Sequence, residues 1–215
     1  MTSTAAIDLA SLLCSRLCHD LLSPVGALNN GLELLADEDD PDMRARCIEL
    51  LNDSARASAN KLKFFRLAFG AAGGFGDQVD AREAKTAIEG MFGVSGKVQI
   101  GWMVEPDTLS KPAIKTLLNL ALIAGDALVR GGQLDIGAEK TAAGTEMVVR
   151  AEGPRLVLDP ELRRALEGGM GEADVTPRAV AAWLASELVR QSGGLIQVSA
   201  PDDPFLMFGA ILKDG

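Results

Sequence analysis

Leu13-Cys14-Ser15-Arg16-Leu17-Cys18-His19-Asp20-Leu21-Leu22-Ser23-Pro24-Val25 is the stretch that decides how this 215-residue chain is read. Its apolar stripe, Leu13, Leu17, Leu21 and Val25, continues through Leu28, Leu32 and Leu35 in steps of three or four. That spacing is one face of an α-helix. His19, the only histidine, stands two residues from both Leu17 and Leu21, about 200° round the axis at roughly 100° per residue. It points away from the seam, in a small and polar row: Ser15, His19, Ser23, Gly26, Asn30, Glu33. A merely solvated histidine explains neither the acidic Asp20 beside it nor Pro24 five residues on. The proline also deprives the Asp20 carbonyl of its backbone partner and bends the axis next to the imidazole.

The pattern predicts a first helix from Thr4 or Asp8 to Ala36. The acidic turn Asp37 to Asp42 follows, with Asp40 as N-cap and Pro41 at the first helical position. A second helix runs from Pro41 to Phe69 along the seam Met43, Cys47, Leu50/Leu51, Ser54, Ala57/Ser58, Leu62, Phe65, Phe69. Two antiparallel helices, each about 45 Å long, cannot bury two-sided apolar stripes alone. The economical solution is a second copy, giving a dimeric four-helix bundle; the alternative is packing against the rest of the same chain.

Composition narrows the function classes. Net charge is −9, from 30 acidic and 21 basic residues, which disfavours phosphate backbones and anionic membranes. Tyrosine is absent and other aromatics are few, so base-stacking platforms are not expected. No apolar run is long enough for a membrane span, and the first residues lack the pattern of a signal peptide. Three cysteines, Cys14, Cys18 and Cys47, read as reduced thiols of a cytoplasmic protein. Their expected role is as buried small apolar residues rather than as metal ligands, since His19 diverges from Cys18 on the helix.

Gly70 to Gly76, with four glycines, reads as a hinge. It divides a helical hairpin, 1–70, from a linker, 71–78, and a second domain, 79–215. In that domain the periods predict helices at 80–92, 110–130, 160–166 and 177–191, and strands at 97–104, 133–139, 146–152, 195–200 and 205–212. Strands clustered late in the order, with helices between, argue an α+β layer rather than a doubly wound sheet.

The chemistry available to His19 is nucleophilic. Unprotonated imidazole is abundant near neutral pH, and passing a phosphoryl group through it divides one exchange into two in-line displacements. Asp20 can hold one ring nitrogen, fixing the tautomer and leaving the other free to attack. Ser23, one turn on, can contact a phosphoryl oxygen or position a water.

His19-Asp20-Leu21-Leu22-Ser23-Pro24-Val25 resembles the phosphoacceptor box of bacterial sensor histidine kinases. In that family the box lies on a dimerising two-helix hairpin, followed by an ATP-binding α/β domain of the GHKL type. The resemblance implies an N-terminal hairpin forming a dimeric four-helix bundle, then a GHKL (Bergerat-like) α/β sandwich. The nucleotide motifs, however, are degenerate. Asn119-Leu120-Ala121-Leu122-Ile123-Ala124 keeps the first asparagine of the asparagine box but places Ile123 where the magnesium-binding one belongs. Ala151-Glu152-Gly153-Pro154-Arg155 has alanine for the adenine-reading aspartate and arginine for the second glycine. Thr176 to Trp183, at the lid position, contains no glycine. Isoleucine cannot coordinate Mg²⁺.

A phosphoacceptor hairpin joined to a silent ATPase-like domain is similar to the ChpT-type family of histidine phosphotransferases. That likeness implies transfer from a receiver-domain aspartate of a hybrid kinase to His19, and on to the aspartate of a response regulator. No cofactor is then expected on this chain, because the receiver brings Mg²⁺. The catalytic set is His19 as phosphoacceptor, Asp20 orienting the imidazole, and Ser23. The candidate receiver contacts are Leu22, Gly26, Ala27, Asn30 and Glu33, with Arg44 and Ile48 from the second helix; nucleic acid and membrane are not expected partners. A divergent ATP-dependent kinase core, a non-catalytic receiver-binding scaffold, and a phosphatase using Ser23 to place water stay open as alternatives.

Overall fold

A computed structural model describes residues 3–70, 76–94 and 96–213, the side chains of 3–5 excepted. Helix α1 spans Ser3–Asp37 and α2 spans Pro41–Ala68. The expected cap is present: the Asp40 side chain accepts from the backbone N–H groups of Asp42 and Met43, with Pro41 opening the helix. Arg44 closes the turn from the other side, donating to the carbonyls of Leu35 (3.1 Å) and Glu38 (2.6 Å).

The leucine stripe divides between two environments. Within the chain, α1 meets α2 through Pro24 and Gly31, both buried, and through half-buried Leu21, Leu28 and Leu35. Gly31 sits so close to α2 that a β-carbon there would lie 2.9 Å from Leu51 Cδ2. Val25 and Leu32, at the edge of the stripe, remain exposed, as do Met43, Leu50 and Leu62 of the α2 seam. The cysteines depart from expectation for the same reason. Cys47 is buried, but Cys14 and Cys18 are exposed thiols.

The rest of the described chain builds a five-stranded sheet beneath helices. Strand β1 (Gln78–Asp80) pairs antiparallel with β3 (Thr108–Ser110) in a small ribbon. The main sheet has the order β2-β4-β5-β7-β6, formed by Val98–Val104, Gly132–Thr141, Gly144–Glu152, Leu206–Leu212 and Ile196–Val198. Only β2 and β4 run parallel, joined through α4 (Lys111–Ala127); the other pairs are antiparallel. Helices α3 (Ala81–Ile88), α5 (Pro160–Leu166) and α6 (Val180–Gln191) complete the layer. The architecture is the expected helical pair followed by an α/β domain with a mixed sheet.

Three local differences from the sequence pattern have physical causes. The ribbon strands are three residues each, too short for alternation to register. Gln78, placed in the linker by composition, already pairs with Ser110; residues 71–75 of that linker lie outside the described residues. The helix expected over 80–92 changes pitch at Glu89–Gly93, which is a π-turn. The Asn60 side chain donates to its Gly90 carbonyl at 2.9 Å. Phe92 then lies against Gly125, where a β-carbon would stand 2.5 Å from the ring.

The core does not respect the division at the glycines. Phe64, Phe65, Leu67 and Ala68, the last turns of α2, are buried with the sheet and α4 in one cluster. Phe64 meets Phe65 and Phe92 edge-on at 5.7 and 6.4 Å. Leu9, Leu12, Leu13 and Leu17 of α1 pack partly against the same cluster.

Candidate functional site

His19 stands on the outer face of α1 with 83% of its side chain exposed. Asp20, one residue on, is rotated inward and only 13% exposed. The two meet at 3.2 Å, Nδ1 to Oδ1. Because an ionised carboxylate can only accept, this contact is a hydrogen bond in the tautomer that carries its proton on Nδ1, and Nε2 is the nitrogen on the solvent side. His19 is thus exposed, as its angular offset from the leucines predicts, with the Asp20 carboxyl within reach of its ring.

Asp20 is itself held by two basic side chains, Arg16 and Lys61. Its Oδ2 accepts from Arg16 Nε at 2.7 Å, an i−4 partner one turn earlier. Arg16 reaches on to Asp126 of α4, Nη2 to Oδ2 at 3.0 Å. The Asp20 carbonyl, which Pro24 leaves without a backbone donor, accepts from Lys61 Nζ of α2 at 2.7 Å. A lysine thus replaces the hydrogen bond that the proline removes.

Burial works against the Arg16 charge, but hydrogen bonds and attraction from Asp20 and Asp126 outweigh it and hold its pKa above the ordinary value. Desolvation pushes the Asp126 carboxyl up and Arg16 pulls it down. Desolvation, with the nearby Asp20 charge adding to it, wins, and the Asp126 carboxyl lies above its ordinary range although the Arg16 guanidinium stands at 3.0 Å.

Ser23, Asn30 and Glu33 extend the exposed row from His19, with Gly26 and Ala27 half-buried along it. Glu33 accepts from Asn29 at 3.0 Å. Leu22 is 70% exposed beside the imidazole, an apolar side chain with nothing to cover it in the single chain. Ile48 is exposed on α2. Arg44 is engaged as well, since it closes the turn between the helices.

Where the row begins, Leu12 and Ser15 form one wall of a groove of about 630 Å³, and Glu172, Val175, Pro177 and Trp183 form the other. The second domain therefore offers surface along the same side of α1. Among the described residues, no group of three or more His, Cys, Asp or Glu side chains is placed to hold a metal ion.

Asn119, the retained residue of the degenerate asparagine box, has turned into the core. It is fully buried, and its amide donates to the carbonyls of Lys115 (2.7 Å) and Ala68 (3.2 Å), so it ties α4 to the end of α2. Ile123 is buried as well, 3% exposed. Gly153 packs against the Gly131 carbonyl so closely that a β-carbon would stand 2.5 Å from it. The surviving letters of the nucleotide motifs have packing roles.

Three residues at the site were not singled out in the sequence: Arg16, Lys61 and Asp126. Arg16 has a signal, the i, i+4 spacing to Asp20. The other two lie 41 and 106 positions from Asp20 in the chain, and only the fold brings them together.

A family model described as the C-terminal domain of histidine phosphotransferases matches residues 81–204. The protein phosphotransferase ChpT of Brucella abortus (strain 2308) is 36% identical over 200 residues, spanning 91% of this chain and 92% of that protein. A bacterial phosphotransferase of known structure superposes with a TM-score of 0.83 at 33% identity, covering 95% of this chain and 96% of the other. No described helix is long and apolar enough to cross a membrane.

Proposed function

This chain belongs to the histidine phosphotransferase family, and from that premise we propose that His19 is the residue that carries the phosphoryl group between two receiver domains of a phosphorelay. The observation that carries the reading is the exposed imidazole with Nδ1 held by Asp20 at 3.2 Å and Nε2 open to solvent. In the first step Nε2 attacks the phosphorus of a receiver's aspartyl phosphate. A P–N bond forms, the P–O bond to the aspartate breaks, and the carboxylate leaves with the electron pair. Asp20 offsets the positive charge that develops on the ring while Nδ1 keeps its proton. The second step runs in reverse against an aspartate of another receiver, and Mg²⁺ belongs to the receiver's side of both exchanges.

The partner approaches over Leu22, Ser23, Gly26, Ala27, Asn30 and Glu33, where small residues allow a helix close contact; Ile48 and Arg44 border it from α2. Specific contacts need on the order of 1,000 Å². The groove between α1 and Trp183 supports an added contribution from the second domain. Exposed Val25, Leu32, Leu50 and Leu62 support a homodimer, in which a second hairpin covers them. Buried Ile123 and inward-turned Asn119 support a protein that takes its phosphoryl group from receivers rather than from ATP. The free thiols Cys14, Cys18 and Cys47 support a reducing, cytoplasmic setting.

The test offers the purified protein, wild type and His19→Ala, either γ-labelled ATP with Mg²⁺ or a receiver already phosphorylated on its aspartate. The expected result is acid-labile label arriving only from the receiver and only where His19 is present. Label drawn directly from ATP would make the protein a kinase. Label from neither source, across several receivers, would reduce it to a binding scaffold.

A further inference from the structure

The geometry points to Arg16 and Asp126 as positioning residues for the phosphoacceptor, with Asp126 acting from the second domain through Arg16 on the Asp20 carboxylate that orients His19. This rests on the reading of His19 as the phosphoacceptor.

The argument begins with the two oxygens of Asp20. Oδ1 faces His19 and Oδ2 faces Arg16 Nε. A carboxylate beside an exposed histidine is otherwise free to rotate between rotamers. Fixing Oδ2 fixes the direction of Oδ1, and so the nitrogen it holds. Arg16 is long and flexible and cannot supply that rigidity alone. Its planar fork is divided, Nε to Asp20 and Nη2 to Asp126, and two points of attachment define its plane. Exposure falls along the chain of contacts from 83% at His19 to 13% at Asp20 and 15% at Arg16. The imidazole is free, Asp20 and Arg16 beneath it are enclosed, and Asp126, 48% exposed, closes the chain of contacts from the second domain.

The place of Asp126 is the second observation. It lies in the last turn of α4, where the helix dipole disfavours a negative charge, and that turn holds no basic residue. A carboxylate there does nothing for α4 itself; its contact is the guanidinium across the domain boundary. The two halves are already joined through Phe64, Leu67 and Asn119, so the ion pair is not needed to hold them together.

The only histidine gives a direct readout, because every imidazole nitrogen signal belongs to His19. The experiment compares the full chain with Asp126→Asn, Arg16→Gln and the double variant. It measures the His19 tautomer by ¹⁵N NMR, phosphoryl uptake from a receiver charged with acetyl phosphate, and thermal unfolding. In Asp126→Asn we expect a smaller Nδ1–H fraction, uptake slowed about tenfold, and an unfolding temperature close to wild type. In the Arg16→Gln background, Asp126→Asn should add nothing further. An unchanged tautomer and rate in Asp126→Asn would overturn the proposal. Effects that add in the double variant would overturn the route through Arg16. If wild type itself takes no label, the phosphoacceptor reading fails, and the tautomer comparison still decides whether Asp126 positions the ring.

Discussion

Helices α1 and α4 are both rich in apolar residues, and the structure uses them in opposite ways. Of the 17 residues of α4, thirteen are buried, because sheet, α6 and the end of α2 cover it on all sides. Helix α1 has 35 residues, and among those described only Pro24 and Gly31 are buried. The difference teaches that apolar content does not state its own destination. In α4 it makes a core. In α1 it is divided among a partner helix in the chain, the core cluster of the second domain, and exposed side chains such as Leu22, Val25 and Leu32.

The comparison breaks most visibly if burial fails to set the cost of truncation. Phe64→Ala, in the fully buried end of α2, should lose about 3–5 kcal/mol of stability. Leu32→Ala, 57% exposed, should stay within about 0.5 kcal/mol in the monomer. Urea denaturation of the two variants at low protein concentration checks both values, and similar losses would erase the distinction.

A smaller effect sharpens the contrast inside the hairpin. Lys61→Met keeps the stem and removes the donor to the Asp20 carbonyl, at a cost of about 0.5–1.5 kcal/mol. Hydrogen exchange around residues 20–24 should quicken before the rest of α1 responds.

The smallest effect lies in the second domain. The hydrogen bond from Arg190, opposed by partial burial, holds the Glu187 carboxyl below its ordinary value of 4.5. A lowered folded pKa gives stability that is present above the unfolded pKa and lost as pH falls through the folded one. Glu187→Gln should therefore cost under about 1 kcal/mol at pH 7 and nothing once both forms are titrated at strongly acid pH. Unfolding midpoints that stay apart at low pH would remove the ion pair as the cause.

Much of the site was legible in the sequence because its logic is local. The angular offset of His19 from the leucines, the adjacent Asp20 and the orphaned Asp20 carbonyl are all consequences of helical period and of Pro24. The helix cap at Asp40 was legible for the same reason. What replaces the lost hydrogen bond was not, since Lys61 comes from another helix. Asp126 read as an unremarked residue after a degenerate motif. The exposure of Cys14 and Cys18 was missed because period alone gives a stripe's direction and not its width. The β1–β3 ribbon and the π-turn are products of tertiary packing, the latter fixed by Asn60 and by the space above Gly125.

The burial of the last turns of α2 in the core of the second domain has a consequence for the thermodynamics of docking. Phe64, Phe65, Leu67 and Ala68 belong to both halves. The row that starts at Ser15 and carries His19 and the groove wall at Trp183 therefore hold one fixed spacing before any partner arrives. A receiver that touches both loses its own orientational freedom, but it need not also immobilise a swinging domain. A rigid two-part platform of this kind lets more of the contact energy appear as affinity.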